Sequence, residues 1–348
     1  PKQAPKAVSQ IAQVLALIPT VTDTGVAEKA RSSLIDLTVT GAGSQVAYIA
    51  NRDSNNSIAI CPVNTDGSLA SCASHTDPSF FNPIDIILNN DATIAYVANV
   101  DFSTPPDTHT ISVCHVHPDG TLGTCSAFSD PNDTLDLYYT GLRLNSENTL
   151  LYATGYFNNT VSICPVAGNG ALSACVEYQN NDFHGPSGRL VFNFAGLPAY
   201  VPNYNSFNSD FSVAICNSQF ASCISAVDAS FFHPLAMDIN ASGKHVYVAN
   251  YGNDTVSICE ILSTGTLDTC TFSTGDDVGA NPTFDFSISV ANLFVHNYNG
   301  FGYFPNEPDD TISICPINNL NGAIGVCTVF SDADITSPGS VWISTFDI

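Results

Sequence analysis

Val246-Tyr-Val-Ala-Asn-Tyr-Gly-Asn-Asp-Thr-Val-Ser-Ile-Cys259 decides how the whole chain is read. Two short runs of β-branched and aromatic residues flank a Tyr-Gly-Asn-Asp cluster. That pattern marks two strands joined by a tight loop. The first half recurs as Ala47-Tyr-Ile-Ala-Asn51, Ala95-Tyr-Val-Ala-Asn99, Leu151-Tyr-Ala-Thr-Gly155, Ala199-Tyr-Val-Pro-Asn203 and Leu293-Phe-Val-His-Asn297. The second half recurs as Ser57-Ile-Ala-Ile-Cys61, Ile111-Ser-Val-Cys114, Val161-Ser-Ile-Cys164, Val213-Ala-Ile-Cys216 and Ile312-Ser-Ile-Cys315. These cysteines return every 43 to 56 residues. Each unit adds a second cysteine strand and an apolar strand, which makes four strands. A four-stranded unit repeating at ~40–50 residues is the pattern of a β-propeller blade.

The twelve cysteines fall into six local pairs: Cys61 with Cys72, Cys114 with Cys125, Cys164 with Cys175, Cys216 with Cys223, Cys259 with Cys270 and Cys315 with Cys327. Asp66-Gly67, Asp119-Gly120, Asn169-Gly170 and Thr264-Gly265 sit at the midpoints of four of them. Asp-Gly and Asn-Gly tolerate the positive φ of a tight hairpin turn, which sets the flanking cysteines opposite each other. Cys216–Cys223 fits a shorter hairpin, and Cys315–Cys327 one with an extra residue. No C-x-x-C occurs, so neither zinc-ribbon spacing nor a thioredoxin-like pair is available. Disulfides in an exported protein account for the count. The expected location is secreted, periplasmic or at the cell surface.

The 348 residues carry only 8 Lys and Arg against 32 Asp and Glu, a net charge of -24. Recognition of nucleic acid, or of an anionic membrane surface, requires clustered cations that this chain lacks. Val14-Leu-Ala-Leu-Ile18 is the longest N-terminal apolar run and is far too short to span a bilayer.

The Tyr–Asn strand, the Thr-Val-Ser-Ile strand and a Pro-led strand together resemble the YVTN-repeat β-propeller family, with Val246–Ile258 the nearest match. That family is similar to seven-bladed lactonase-like propellers and also includes surface-layer and adhesion modules; the cysteine pairs depart from its usual pattern. The resemblance implies that the Pro-led strands line a central channel. They read Pro83-Ile-Asp-Ile-Ile87, Gly141-Leu-Arg-Leu144, Gly188-Arg-Leu-Val-Phe192, Pro234-Leu-Ala-Met-Asp238 and Pro282-Thr-Phe-Asp-Phe286, with Leu34–Leu37 and Pro338–Ile343 as the outermost copies. An all-β propeller of four-stranded antiparallel blades is therefore expected over residues 34–348. Seven inner strands against six cysteine hairpins predict seven blades, the last a composite of both termini with residues 1–33 completing it. Six blades is the alternative.

The same resemblance sets the loops after each Tyr–Asn strand on the face that carries the Pro-led turns. Asn203, Asn250 and Asn297, with Tyr204, Tyr251 and Tyr298 after them, become candidate binding residues there. Asn51, Asn99 and Tyr156 hold related places. Such asparagines either bond turn backbone or offer a ring of amides. Phe301, Tyr303 and Phe304 lie in an enlarged loop, as do Phe207 and Phe211. Aromatics in such loops form binding surfaces or pad their own blade.

For catalysis the candidates are His184 and His233, each just before an inner strand in Phe183-His-Gly-Pro186 and Phe232-His-Pro234. They would act as acid and base or as metal ligands across a channel mouth, or cap turns, a role interchangeable with the Asn82 and Asn281 that hold the matching place. His115-Val-His117 sets two imidazoles on one strand face, as half a metal site would, but with no third ligand identifiable they read as surface histidines. Asp77, Asp130, Asp133, Asp136, Asp182, Asp276, Asp277, Asp332 and Asp334 precede inner strands, without the spacing of a calcium loop. No metal or cofactor is expected, Ca²⁺ being the weak alternative.

The expected function is non-enzymatic binding of a neutral or cationic protein or glycan through the loop-rich face. The alternative is a lactonase-like hydrolase at the channel mouth.

Overall fold

The computed structural model describes residues 44–52, 55–101, 108–138, 140–193, 198–204, 211–240, 242–274, 294–295 and 300–346. Alternating β-branched runs become strands, and the named strands pair antiparallel; Thr140 and Gly188 form an isolated parallel bridge. β1 (Ser44–Asn51), β2 (Ser57–Val63) and β3 (Ala73–Thr76) start the first blade. The second blade is β4 (Pro83–Leu88), β5 (Ile94–Asp101), β6 (Thr108–Val116) and β7 (Leu122–Phe128), and the third β8 (Leu142–Leu144), β9 (Leu150–Gly155), β10 (Thr160–Pro165) and β11 (Val176–Gln179). β12 (Val191–Phe192), β13 (Ala199–Asn203), β14 (Ser212–Cys216) and β15 (Cys223–Ala226) make the fourth. β16 (Pro234–Ile239), β17 (His245–Asn250), β18 (Thr255–Ile261) and β19 (Leu267–Thr274) make the fifth. β20 (Phe294–Val295), β21 (Phe301–Asn306), β22 (Thr311–Pro316) and β23 (Thr328–Ser331) make the sixth, and β24 (Pro338–Phe346) returns to the first.

The described residues thus form six four-stranded blades. Closure differs from the seven-bladed expectation, and the reason is one pairing. β24 bonds directly to β1 along its whole length, Ser44 opposite Phe346 and Ala50 opposite Ser340. The C-terminal strand is therefore the inner strand of the first blade and is not left over for a composite seventh. Residues 1–33, and the expected inner strand Leu34–Leu37, lie outside the described residues. Among the described residues no helix is long and apolar enough to cross a membrane.

The apolar core is divided into six clusters, each wedged between two successive blades. The repeated tyrosine explains how neighbours lock. Tyr48, Tyr96, Tyr200, Tyr247 and Tyr303 are buried, and each hydroxyl donates to the carbonyl of a hairpin glycine in the next blade. Those bonds are Tyr48 to Gly120 (2.6 Å), Tyr96 to Gly170 (3.0 Å), Tyr200 to Gly265 (2.8 Å), Tyr247 to Gly322 (2.8 Å) and Tyr303 to Gly67 (2.8 Å). The last of these closes the ring onto the first blade. A buried phenol needs such a partner. The turn needs glycine for two reasons: Gly265 holds φ +82°, and a Cβ there would lie 2.7 Å from Pro198.

That network corrects the sixth repeat. Tyr303-Phe-Pro-Asn306, in β21, holds the Tyr–Asn position expected for Leu293-Phe-Val-His-Asn297. Tyr303 and Phe304 are buried core residues, and Phe301 packs beneath the Gly67 turn. They are strand residues, not part of an enlarged loop. Asn297, Tyr298, Phe207, Asn281, Asp276, Asp277 and Pro282–Phe286 lie outside the described residues.

All twelve cysteines are paired as the hairpins imply, with Cα separations of 4.0 to 4.2 Å. Such close cross-strand pairs do not share ladder bonds, so the outer cysteine's N–H points off the blade edge. Aspartates in the preceding connections cover it. Cys125 N–H donates to Asp77, Cys175 to Asp130, Cys270 to Asp228 and Cys72 to Asp332.

Candidate functional site

The inner strands bring five blades together on the channel axis through charged and aromatic groups. Arg189 and Asp85 are both fully buried, with Nη2 2.5 Å from Oδ1. Asp85 also accepts the Leu142 N–H at 2.7 Å. Burial pushes the Asp85 carboxyl up, against the opposing pull of Arg189 and that N–H. Arg143 lies 4.0 Å from Asp238, and both guanidiniums sit over Trp342, at 6.0 Å for Arg143 and 5.2 Å for Arg189. The two inner-strand cations are matched by two carboxylates. They leave no surplus positive charge for a substrate phosphate.

The asparagines of the Tyr–Asn strands are consumed by the fold. Asn203 donates to Ser212 Oγ and the Asp182 carbonyl and accepts the His184 N–H. Asn250 donates to Thr255 and Ser257 and accepts the Phe232 N–H. Asn51 and Asn99 repeat the arrangement. All four are buried, so they present no amide ring to a ligand.

The two histidines are not equivalent. His233 shares a left-handed backbone with Asn82 and Ser337, each directly before its proline, whereas His184 occupies the place of Phe81 and Phe232 one residue earlier. His233 Nδ1 lies 3.1 Å from the Tyr204 carbonyl, and its ring packs on Tyr204 and Phe211. Among the described residues no hydrogen bond joins it to His184 or to a carboxylate. His75, Asp77 and Cys125 gather three ligand-type atoms, but the Cys125 sulfur is bonded to Cys114 and offers no thiolate.

What the structure does assemble is an arc of rings over the third, fourth and fifth blades. Tyr138 meets Phe157 at 4.8 Å, Phe157 meets Tyr156 at 4.9 Å, and Tyr156 meets Tyr204 at 5.6 Å. Tyr204 continues to Tyr251 at 5.8 Å and to His233 at 4.8 Å, and Phe211 links His233 to Phe232. Phe157 is 61% exposed, Phe232 42% and Tyr251 39%. Buried Asp136 builds the outer end, accepting the Phe157 N–H at 2.5 Å and the Asn158 N–H at 3.0 Å. Tyr204 and Tyr251 were legible as residues following an asparagine. Tyr138 and Phe157 carry no such mark, and Asp136 stood out only as one of the aspartates before an inner strand.

No family model and no curated protein matches this sequence. Solved structures do match its fold. A putative 6-phosphogluconolactonase from Bacteroides fragilis is 15% identical, covering 87% of this chain and 98% of that one, with a TM-score of 0.58. The periplasmic gluconolactonase of Pseudomonas aeruginosa is also 15% identical, covering 87% and 99%, with a TM-score of 0.56. A chain of a nidogen/laminin complex is 10% identical, covering 87% and 100%, with a TM-score of 0.61. The chain is a β-propeller. At such identities the likeness carries the fold and no activity, since one propeller scaffold hosts many functions.

Proposed function

We propose that this propeller is a non-enzymatic binding module of an oxidising compartment, secreted, periplasmic or at the cell surface. Its partner, a protein or glycan, docks on the ring arc from Tyr138 to Phe232. One observation carries the reading: rings from three blades form a continuous surface with Phe157, Phe232 and Tyr251 exposed. Aromatics presented on a rigid scaffold supply contact area at low entropic loss. Six disulfides support the compartment, because reducing cytosol does not keep them. The net charge of -24 favours a neutral or cationic partner. The lactonase reading rests on structural neighbours, while the matched ion pairs of the channel argue against a phosphorylated substrate.

The test is an array of extracellular proteins and glycans probed with wild type and with a Phe157→Ala/Phe232→Ala double variant. The variant is expected to lose the wild-type targets while melting unchanged. Retained targets, or gluconolactone turnover abolished by His184→Ala or His233→Ala, would overturn the binding reading.

A further inference from the structure

Beside the arc, between the third and fourth blades, lies an open groove of about 660 Å³. Its walls come from the turn after Phe157, the connection leaving β11 and the hairpin before β15: Asn158, Asn159, Gln179, Asn181, Asp182 and Ser222. The groove opens where the repeat is broken. The hairpin between Cys216 and Cys223 spans 7 residues, while four of the other five span 11. At this junction the tyrosine–glycine lock is absent too, and Tyr152 meets the ring of Phe220 instead.

The lining divides into fixed and unengaged groups. Asn159 accepts the Gly185 N–H, Asn180 ties the connection to the Phe220 carbonyl, and Asp182 accepts the Ser225 hydroxyl. The side chains of Asn158, Gln179, Asn181 and Ser222 make no hydrogen bond among the described residues. Asp136 fixes the backbone of Phe157 and Asn158, so the exposed ring and the first amide of the groove are set together.

We propose that this groove, whose first amide follows the exposed Phe157 by one residue, binds a neutral oligosaccharide. The proposal rests on the binding reading above and names its partner. Each amide offers a donor and an acceptor, as each sugar hydroxyl does, and Ser222 offers both on one atom. Phe157, exposed and one residue before Asn158, offers a flat ring of the kind that suits the C–H face of a pyranose. The volume falls within the ~300–1,000 Å³ of small-ligand sites. The lining holds one carboxylate, Asp182, and no cation. An anionic glycan finds nothing to pair with there, and a basic peptide finds only Asp182.

The test is a printed array of neutral, sialylated and sulfated oligosaccharides probed with the intact protein, followed by calorimetry on the strongest glycan. Neutral glycans are expected as the hits, and Gln179→Ala/Asn181→Ala should weaken the strongest by about tenfold or more with the melting temperature unchanged. Asp136→Asn should weaken it as well, as a positioning effect, and Gln179→Glu/Asn181→Asp should not restore it. Three results would each overturn the proposal: no neutral glycan bound, anionic glycans alone bound, or equal binding by the groove variant. A protein target lost in Phe232→Ala yet kept in the groove variant would leave the arc standing and remove the glycan.

Discussion

The junction between the third and fourth blades differs from the other five. At five junctions a buried tyrosine hydroxyl bonds a hairpin glycine. At the sixth, Phe220 stands in the glycine's place, buried, with φ +52°, and packs against Tyr152 and Phe183. The five copies keep the ring closed, so their shared features speak of stability. The exception gives up a polar lock, shortens a hairpin and opens the groove beside the exposed rings. A departure from a rule obeyed everywhere else is where a site is expected.

Removing the ring that replaces the lock has the largest effect on this junction. Phe220→Ala leaves a cavity against Tyr152 and Phe183, and such truncations cost about 3–5 kcal/mol. Denaturant melts with disulfides intact measure it. A loss below about 1 kcal/mol would mean that this junction carries little of the ring's stability.

Next in size is a paired substitution. Tyr200→Phe removes a 2.8 Å bond and leaves the Gly265 carbonyl without its donor, which costs about 1–3 kcal/mol. Tyr152→Phe removes no bond to a hairpin glycine, so a change within about 0.5 kcal/mol is expected. Equal losses at the two positions would abolish the distinction between the junctions. Burial also pushes Tyr96 and Tyr200 up to about 12, so their protonated forms are tied to the folded state. For groups raised by folding, stability is full below the unfolded value near 10 and falls as pH rises toward the folded one.

Much of this architecture is legible in the amino-acid sequence. Period-2 runs and Asp-Gly turns are local, and they defined blades and cysteine pairs together. Blade number was not local: it depends on Pro338–Phe346 finding Ser44–Asn51 across the length of the chain. The sixth repeat misled because Leu293-Phe-Val-His-Asn297 imitates the motif, while Gly302-Tyr-Phe-Pro-Asn306 carries glycine before the tyrosine and phenylalanine after it, where the other copies carry a small aliphatic residue after the tyrosine. The better signal was spacing, since Thr311 follows Asn306 by the same interval as Thr255 follows Asn250. Tyr204 and Tyr251 could be singled out by repeat position. Tyr138, Phe157 and the groove amides could not, because their grouping arises between connections that no single repeat contains.

The smallest expected effect concerns the aspartates that cover the outer strand edges. Burial raises the carboxyls of Asp77, Asp130 and Asp228, but the backbone N–H donors outweigh it and hold all three below the ordinary carboxylate range. A carboxylate whose folded pKa is depressed adds stability above its unfolded value near 4, and that contribution drains away as pH falls through the folded pKa. These groups are largely solvent-facing, so screening keeps each contribution below about 1 kcal/mol. The fourth blade again differs, for there Asp182 accepts the Ser225 hydroxyl and not a cysteine N–H. Asp130→Asn should therefore flatten the acid limb of stability below the unfolded carboxylate value of about 4, read from urea midpoints along that limb. An unchanged acid limb would show that the Cys175 N–H is satisfied as well by water, and that the aspartate clamp separates the blades in geometry but not in energy.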